Sequence, residues 1–153
     1  MKGIDEIRCI INERIKNLKY PDFPLSLYQP IEYIMKLPSK RMRPLLLLMA
    51  HQLFDENLEE GIAPALAIEF FHNFTLLHDD IMDNAPIRRG SKTVHEKWNN
   101  NIAILSGDVM MIYAYQLISK LNSKHLKNVI DIFNKSSIEV CEGQQMDMNF
   151  ETK

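Results

Sequence analysis

The sequence predicts an all-α protein, and three observations support this fold class. Apolar residues recur at three- and four-residue steps in the first segment, which is typical of an amphipathic helix. Residues 61–83 are apolar almost all round, as expected of a helix in the middle of a bundle. No segment alternates apolar and polar residues as a half-buried strand does. At 153 residues, 46% of them hydrophobic, the chain suits one globular domain.

The N-terminal part of the chain predicts three helices separated by proline-containing segments. The first, over residues 4–18, places four isoleucines and a leucine on one face. A short helix around residues 27–36 follows a stretch punctuated by prolines. Residues 38–44 are a basic loop with proline at both ends, and Pro44 suits the first turn of a helix over residues 45–54.

The rest of the chain predicts one long buried helix, a loop and three further helices. The buried helix spans residues 61–83, the longest and most apolar segment. Residues 84–92 contain a proline and a glycine and are expected to form a loop. The helices that follow are expected at about residues 93–99, 101–120 and 124–150.

Charge, cysteine content and hydropathy exclude several classes of partner. A net charge of −2 offers no electrostatic basis for binding nucleic acid or an anionic membrane surface. Cys9 and Cys141 lie far apart and are expected to be reduced, mostly buried thiols. Residues 1–6 lack the apolar core of a signal peptide, and residues 44–50, the longest apolar run, are too short to cross a bilayer. We therefore expect a cytoplasmic protein without stable membrane insertion.

Two carboxylates near the end of the long buried helix predict a metal site. Asp79 and Asp83 are four residues apart, so a helix places them on one face, one turn apart. Together with Asp80, they also face the negative end of the helix dipole. An exposed acidic helix end is the alternative. A sequence that tolerates both the repulsion between these like charges and the unfavourable helix dipole favours a compensating cation. Mg²⁺ prefers such oxygen ligands and completes its shell with water and substrate phosphates.

Two basic segments suit anionic ligands beside this metal site. Lys40, Arg41 and Arg43 form one segment, and Arg88 and Arg89 form the other. Taken alone, each would be an ordinary solvated surface cluster. In a nearly neutral chain, the two segments and the carboxylates together indicate a site for two polyanions, because guanidinium groups bind phosphate oxygens bidentately. One anion would be bridged by metal and the other held by bare cations.

Other polar residues on the predicted helices leave alternatives open. His72 lies seven residues before Asp79 on the same helix face, and its spacing alone favours a core histidine bonded to a backbone carbonyl. Glu69 and His72 also form one Glu-x-x-His unit of the kind found in di-iron bundles, but no second unit has this spacing. Gln144 and Asp147 lie on adjacent turns and could be a polar helix end.

Taken together, the motifs resemble those of a known family, the trans-isoprenyl diphosphate synthases or polyprenyl synthetases. Their order and spacing agree from about residue 38 to residue 147. The resemblance implies an all-α bundle around a deep prenyl pocket, usually as a homodimer. Residues 1–153 would be the N-terminal portion of this domain, the N-terminal half of the isoprenoid synthase helical bundle. The motifs that carry the resemblance are Lys40-Arg41-Met42-Arg43-Pro44, His72, Asp79-Asp80-x-x-Asp83, Arg88-Arg89-Gly90, Ser106-Gly107-Asp108 and Gly143-Gln144-x-x-Asp147.

The resemblance also implies roles for single residues. Asp79 and Asp83 would hold Mg²⁺ on an allylic diphosphate, with Asp80 in support. Arg88 would contact the same diphosphate, and Gln144 and Asp147 would line the allylic side. Isopentenyl diphosphate would be held by a second group of side chains, namely Lys40, Arg43, His72 and Arg89.

Bulky residues before the acidic motif predict a short product. Phe74 and Phe71 lie five and eight residues before Asp79, and Thr75 lies one turn before it. In the family, bulk at these depths forms the floor of the pocket, which implies geranylgeranyl or farnesyl diphosphate as product. The alternative is that both phenylalanines only pack the core. Replacing either by alanine is expected to lengthen the product.

After Asp147 these 153 residues contain neither the family's second Asp-rich motif nor the Lys-Thr pair that precedes it. We therefore expect little or no turnover from this polypeptide alone. A non-catalytic partner subunit is one alternative function. A terpene cyclase is a weaker one, because it would have no use for the basic segment around Lys40.

Overall fold

The computed structural model describes residues 2–151, which form seven helices and a two-stranded hairpin. The predicted all-α class is confirmed, because the strands contribute only two residues each. In chain order the elements are α1 (Ile4–Lys16), α2 (Leu25–Lys36), α3 (Met42–His51), α4 (Glu59–Met82), β1 (Ile87–Arg88), β2 (Ser91–Lys92), α5 (Val94–Lys97), α6 (Asn100–Ile118) and α7 (Ser123–Glu151).

Helix α4 is the centre of the molecule. Among the described helices, α4 and α6 form the most extensive contact. Helix α4 also contacts α1, α2, α3 and α5. Buried residues occur on all its faces, among them Leu66, Phe70 and Leu77. The prediction of a central helix over residues 61–83 is confirmed, with the helix beginning two residues earlier and ending one residue earlier.

The first two helices cover this core with apolar faces. The face of α1 consists of Ile7, Ile11 and Ile15, which are spaced by four residues and fully or almost fully buried. Helix α2 buries Ile31 and Ile34 against α6 and ends before the extended Leu37-Pro38 segment. Because α2 ends there, the basic segment that follows lies at the edge of the bundle.

The predicted loop over residues 84–92 contains a short hairpin, which is a correction. Arg88 pairs with Ser91, so Arg89 and Gly90 form a two-residue turn. Both have positive φ angles, 52° and 76°, as a type I′ turn requires. Strands of two residues are too short to produce a detectable alternation in the sequence. The hairpin matters because it turns two successive arginines back towards α4.

Several predicted boundaries shift by a few residues. The third helix begins at Met42 and not at residue 45, and it ends at His51. Helix α5 has only four residues, because Trp98 leaves the helical conformation. Helix α6 ends at Ile118, two residues before its predicted end, and α7 begins at Ser123. These ends are determined by capping and tertiary contacts, and apolar periodicity does not report either.

The structure bears on two sequence-based expectations, the burial of the cysteines and the lack of a segment long enough to cross a bilayer. Both cysteines are free, but Cys9 and Cys141 are exposed, so the expectation of mostly buried thiols is wrong. Cys9 lies on the face of α1 opposite its buried isoleucines, and Cys141 lies on α7, which has few neighbours here. One described helix, α6, has the length and apolar composition of a membrane span. Its buried face, with Ala103, Met110 and Ala114, packs within the bundle as that of a core helix does.

Candidate active site: two neighbouring cavities

The C-terminal end of α4 carries two carboxylates without hydrogen-bond partners. Asp79 is half-buried and Asp83 is exposed, one helical turn further on. Within residues 2–151, neither side chain forms a hydrogen bond or ion pair. Burial raises the pKa of the Asp79 carboxyl, and the negative charges of Asp83 and Asp147 raise it further. The three carboxylates therefore form a region of negative potential that a cation would relieve.

Asp79 and Asp83 are suited to hold the Mg²⁺ that the family resemblance implies. Among the residues that the structure describes, no three His, Cys, Asp or Glu side chains converge closely enough to chelate a metal by themselves. Mg²⁺ is usually held by one or two carboxylates, with waters and substrate phosphates completing its shell. Asp79 and Asp83 supply that number of unpaired carboxylates on one helix face.

Asp80 has a different task from its neighbours. Its side chain is 1% exposed, and its Oδ1 accepts a hydrogen bond from Arg88 Nε at 2.7 Å. Burial raises the pKa of the Asp80 carboxyl, and the Arg88 guanidinium opposes this rise. The middle aspartate of the motif therefore holds Arg88 beside the acidic cluster, where the positive charge of Arg88 also acts on Asp79.

A basic cavity of about 370 Å³ lies beside α4 at Glu69 and His72. Lys40 and Arg43 are exposed at its rim, and Arg89 is half-buried in its wall. Arg41 differs from its neighbours in the basic segment, because its side chain is buried and forms an ion pair with Glu69. The residues that line the cavity are Pro38, Ser39, Lys40, Arg41, Met42, Arg43, Glu69, His72 and Arg89.

The wall of the basic cavity contains a buried polar network that the sequence analysis missed. Arg41 Nη1 donates to Glu69 Oε1 at 2.6 Å, Asn73 donates to Glu69, and Arg89 Nη1 donates to Asn73 Oδ1 at 3.4 Å. Glu69 and Asn73 lie four residues apart in the most apolar helix of the chain. That spacing of two polar residues in a dry helix was the available signal.

His72 and Arg43 form the partition between two cavities. Arg43 Nη1 lies 3.2 Å from His72 Nε2, and because arginine can only donate, this nitrogen is the acceptor of a neutral imidazole. Burial, together with the nearby Arg43 charge, lowers the pKa of His72 to about 4. The di-iron alternative fails because the Glu69 carboxylate is bound by Arg41.

The second cavity, of about 350 Å³, lies on the other side of this partition and is mostly apolar. Asp79 lies at its acidic end, and Phe74 and Thr75 lie in its wall one turn or more before Asp79. Gln144 reaches it from α7. Asp147 does not line it, although its charge acts on Asp79. The lining residues are Arg43, His72, Phe74, Thr75, Leu76, His78, Asp79, Met82, Val140, Cys141, Gln144, Gln145 and Met148.

Phe71 lies behind the cavity wall. Its ring packs 5.8 Å from Phe74 and 5.2 Å from Phe133, measured between ring centroids, and it does not line the cavity. The close approach of α6 supports Phe74 from another side. A Cβ atom at Gly107 would lie 2.7 Å from His78 Nε2 and 3.4 Å from Phe74 Cδ2. Gly107 therefore permits helix packing at this point.

Most of the predicted site residues line one of the two cavities. Lys40, Arg43 and Arg89 line the first, and Asp79, Phe74, Thr75 and Gln144 line the second, with the Arg43–His72 pair shared between them. The predicted residues that line neither cavity are Phe71, Asp80, Asp83, Arg88 and Asp147. The fold and these cavities define an all-α protein whose side chains suit two anionic ligands side by side, one of them with a divalent cation.

Comparisons with known proteins agree with this class. The sequence matches the polyprenyl synthetase family over residues 24–153, and the chain belongs to that family. It is 41% identical to a geranylgeranyl diphosphate synthase of Methanosarcina mazei, over 100% of this chain and 49% of that protein. A geranylgeranyl diphosphate synthase of Sulfolobus acidocaldarius is 40% identical, over 97% of this chain and 46% of that protein.

A solved structure described as geranylgeranyl pyrophosphate synthase superimposes with a TM-score of 0.96 at 43% identity. The match covers 100% of this chain and 47% of that one. The family and the isoprenoid synthase fold inferred from the motifs are thereby confirmed. The chain spans about half the length of the curated relatives it matches.

Proposed function

We propose that this chain is part of a Mg²⁺-dependent prenyltransferase that condenses isopentenyl diphosphate with an allylic diphosphate. The observation that carries the proposal is the pair of cavities that share the Arg43–His72 partition. One cavity is lined by cations, and the other has an acidic end and an apolar wall. Two diphosphates with different electrostatic requirements would fit this arrangement.

The basic cavity suits isopentenyl diphosphate. Lys40, Arg43 and Arg89 would bind its diphosphate directly, with neutral His72 offering a hydrogen bond from its second ring nitrogen. Each cation placed at 4 Å contributes about 4 kcal/mol at an effective dielectric near 20. Several such contacts are required, because the diphosphate and the side chains all lose water on binding.

The apolar cavity suits the allylic substrate, with its diphosphate at the Asp79 end. Mg²⁺ held by Asp79 and Asp83 would supply Lewis-acid neutralisation of the departing diphosphate. Arg88, fixed by Asp80, adds a positive charge on the same diphosphate. Gln144 would line this side of the site from α7, and Asp147 would act on it through its charge without lining the cavity.

The apolar wall has a separate task in the proposed reaction. When the allylic C–O bond breaks, the carbocation must be kept from water, and the apolar side chains of the second cavity exclude it. The double bond of isopentenyl diphosphate then forms the new carbon–carbon bond. Loss of a proton regenerates an allylic diphosphate that is one isoprene unit longer.

We propose a short product, geranylgeranyl or farnesyl diphosphate. Each isoprene unit adds five carbons, worth roughly 4 kcal/mol at about 0.8 kcal/mol per buried carbon, so affinity alone would favour longer chains. A steric floor is therefore required. Phe74 and Thr75 are positioned to form it, with Phe71 packed behind Phe74. The names of the two geranylgeranyl diphosphate synthases support this length.

We further propose a cytoplasmic homodimer. The two free thiols support a reducing compartment. Helix α6 exposes Ile104, Leu105 and Ile112, and apolar residues presented together on one helix support an association surface.

The test is incorporation of labelled isopentenyl diphosphate with allylic primers of several lengths. It is run on this chain and on a chimera that adds the C-terminal half of the Methanosarcina mazei synthase. We expect Mg²⁺-dependent linear products from the chimera, abolished by Asp79→Asn and retained in Asp131→Asn, which removes an exposed carboxylate on α7. A chimera that binds both diphosphates without turnover would favour the partner-subunit alternative, and cyclic products would favour a terpene cyclase.

A further inference from the structure

The amide of Asn73 is held in one orientation between a carboxylate and an arginine. Asn73 is 0% exposed, and its Nδ2 donates to the Glu69 carbonyl oxygen at 2.8 Å and to Glu69 Oε1 at 3.1 Å. Because both groups on this side are acceptors, the two amide hydrogens must point towards them. The amide oxygen therefore faces the other way, where it accepts from Arg89 Nη1 at 3.4 Å.

The carboxylate that orients Asn73 is itself fixed. Glu69 is 1% exposed and accepts from Arg41 Nη1 at 2.6 Å. Arg41, which is 4% exposed, also donates to the backbone carbonyls of Met35 and Leu37 at the end of α2. A continuous series of hydrogen bonds thus runs from α2 through α4 to the hairpin turn. Asn73 is its last buried member before Arg89.

A neutral oxygen at this position orients Arg89 without cancelling its charge. Arg89 lines the basic cavity, where burial and the nearby Arg41 charge lower the pKa of its guanidinium. An aspartate at position 73 would form an ion pair with Arg89 and would lie against the Glu69 carboxylate. An apolar residue of similar size would leave the guanidinium without an acceptor on this side. The amide alone supplies direction and leaves the positive charge for an anion in the cavity.

We propose that Asn73 is a positioning residue for the diphosphate of isopentenyl diphosphate, because its amide oxygen aims the Arg89 guanidinium into the basic cavity. The inference rests on the proposed function, in which this cavity binds isopentenyl diphosphate. Asn73 does not itself reach the ligand, but it should affect the affinity for isopentenyl diphosphate and not that for the allylic diphosphate.

The test is calorimetric titration of isopentenyl diphosphate into this chain and its variants. Asn73→Leu removes both the amide donor and the amide acceptor and keeps a similar side-chain volume. Asn73→Ser can still donate to the Glu69 carbonyl through its hydroxyl, but it cannot reach Arg89. We expect both to raise the Kd about fivefold, the loss of one modest hydrogen bond. Asn134→Leu is the matched control, because it removes an asparagine on α7 that accepts a hydrogen bond from Tyr115 on α6, and neither residue lines the basic cavity. Its Kd should be unchanged.

A double-mutant cycle with Arg89→Met separates positioning from a general loss of structure. Arg89→Met alone should raise the Kd more than Asn73→Ser does, and Asn73→Ser added to it should have no further effect. The inference is overturned by an unchanged Kd in folded Asn73→Ser or in Arg89→Met. It is also overturned by an equal loss with and without Arg89. If isopentenyl diphosphate binds only to the chimera, the same titrations are made there. If neither the unaltered chain nor the chimera binds it, the proposed function fails and this inference with it.

Discussion

The proposed steric floor of the apolar cavity is tested most sharply by Phe74→Ala. The Phe74 ring lies in the cavity wall, 4.7 Å from the His78 ring and 5.8 Å from the Phe71 ring between centroids. Alanine at this position removes a six-carbon ring, and one isoprene unit brings five carbons. The space released therefore matches about one unit, and filling it gains roughly 4 kcal/mol. We expect the main product to lengthen by one isoprene unit.

The assay is reversed-phase separation of dephosphorylated products from the chimeric enzyme, supplied with labelled isopentenyl diphosphate and one primer. Phe70→Ala is the matched control, because this ring lies on the same helix but packs against Tyr113, 5.6 Å away between centroids, and does not line the cavity. Each variant should lose about 3–5 kcal/mol of stability if its site cannot collapse. Only Phe74→Ala should change the product.

Phe71→Ala refines the same prediction. Because the Phe71 ring lies behind Phe74, its removal alone opens less of the cavity than removal of Phe74 does. We expect Phe71→Ala to give only a minor share of product that is one unit longer, and the combination with Phe74→Ala to add a further unit. An unchanged product in the folded Phe74→Ala variant would refute the steric argument. So would equal lengthening in Phe70→Ala.

Three further predictions concern stability and can be checked by urea unfolding followed by circular dichroism. Glu69→Gln leaves the charge of buried Arg41 without a counter-charge and should lower the free energy of unfolding by about 3 kcal/mol or more, whereas Glu59→Gln, in an exposed pair, should cost less than about 1 kcal/mol. Similar losses in the two variants would contradict this. His72, whose pKa is about 4 in the fold against an ordinary value of 6.5, stays neutral between these pH values while the unfolded chain takes up a proton. The free energy of unfolding should therefore be highest above pH 6.5 and fall towards pH 4, by less than about 1.4 kcal/mol per pH unit because solvent screens part of the ring, and His72→Asn should flatten that slope. Gly107→Ala should destabilise by about 1 kcal/mol or more through contact with the facing histidine, while Gly143→Ala, with open space around it, should stabilise by up to about 1 kcal/mol. Equal effects of the two glycine replacements would count against the close helix approach.

The sequence predicted those features of the fold that depend on apolar periodicity. Helix α4 could be placed because its apolar residues extend over more than six turns, too long for a strand and too dry for a surface helix. The start of α3 could not, because Arg41 precedes it with a left-handed φ of 50°. That conformation accompanies an ion pair with Glu69, 28 residues away, and local pattern does not report such a partner. The hairpin was missed because two-residue strands contain no period.

The candidate site divides in the same way. Residues that would touch ligand, such as Asp79, Asp83 and Lys40, could be named because free charges stand out in an apolar chain. Residues that hold them could not be named. Glu69 and Asn73 are polar residues in a dry helix, and their partners come from elements distant in sequence. The exposure of Cys141 was also missed, since the neighbours of α7 cannot be counted from its own sequence.

The partition between the cavities gives the proposed site its asymmetry. Arg43 faces both cavities, so its charge alone would attract a diphosphate to either side. His72 accepts its hydrogen bond as a neutral ring, which means that the wall carries one positive charge and not two. On the far side the Asp79 and Asp83 carboxylates repel a bare diphosphate, so an anion can settle there only together with a cation. On the near side Lys40 and Arg89 favour the bare anion. Of two chemically similar diphosphates, the one that carries metal would thus bind on the Asp79 side of the partition, and the metal-free one would bind on the Lys40 side.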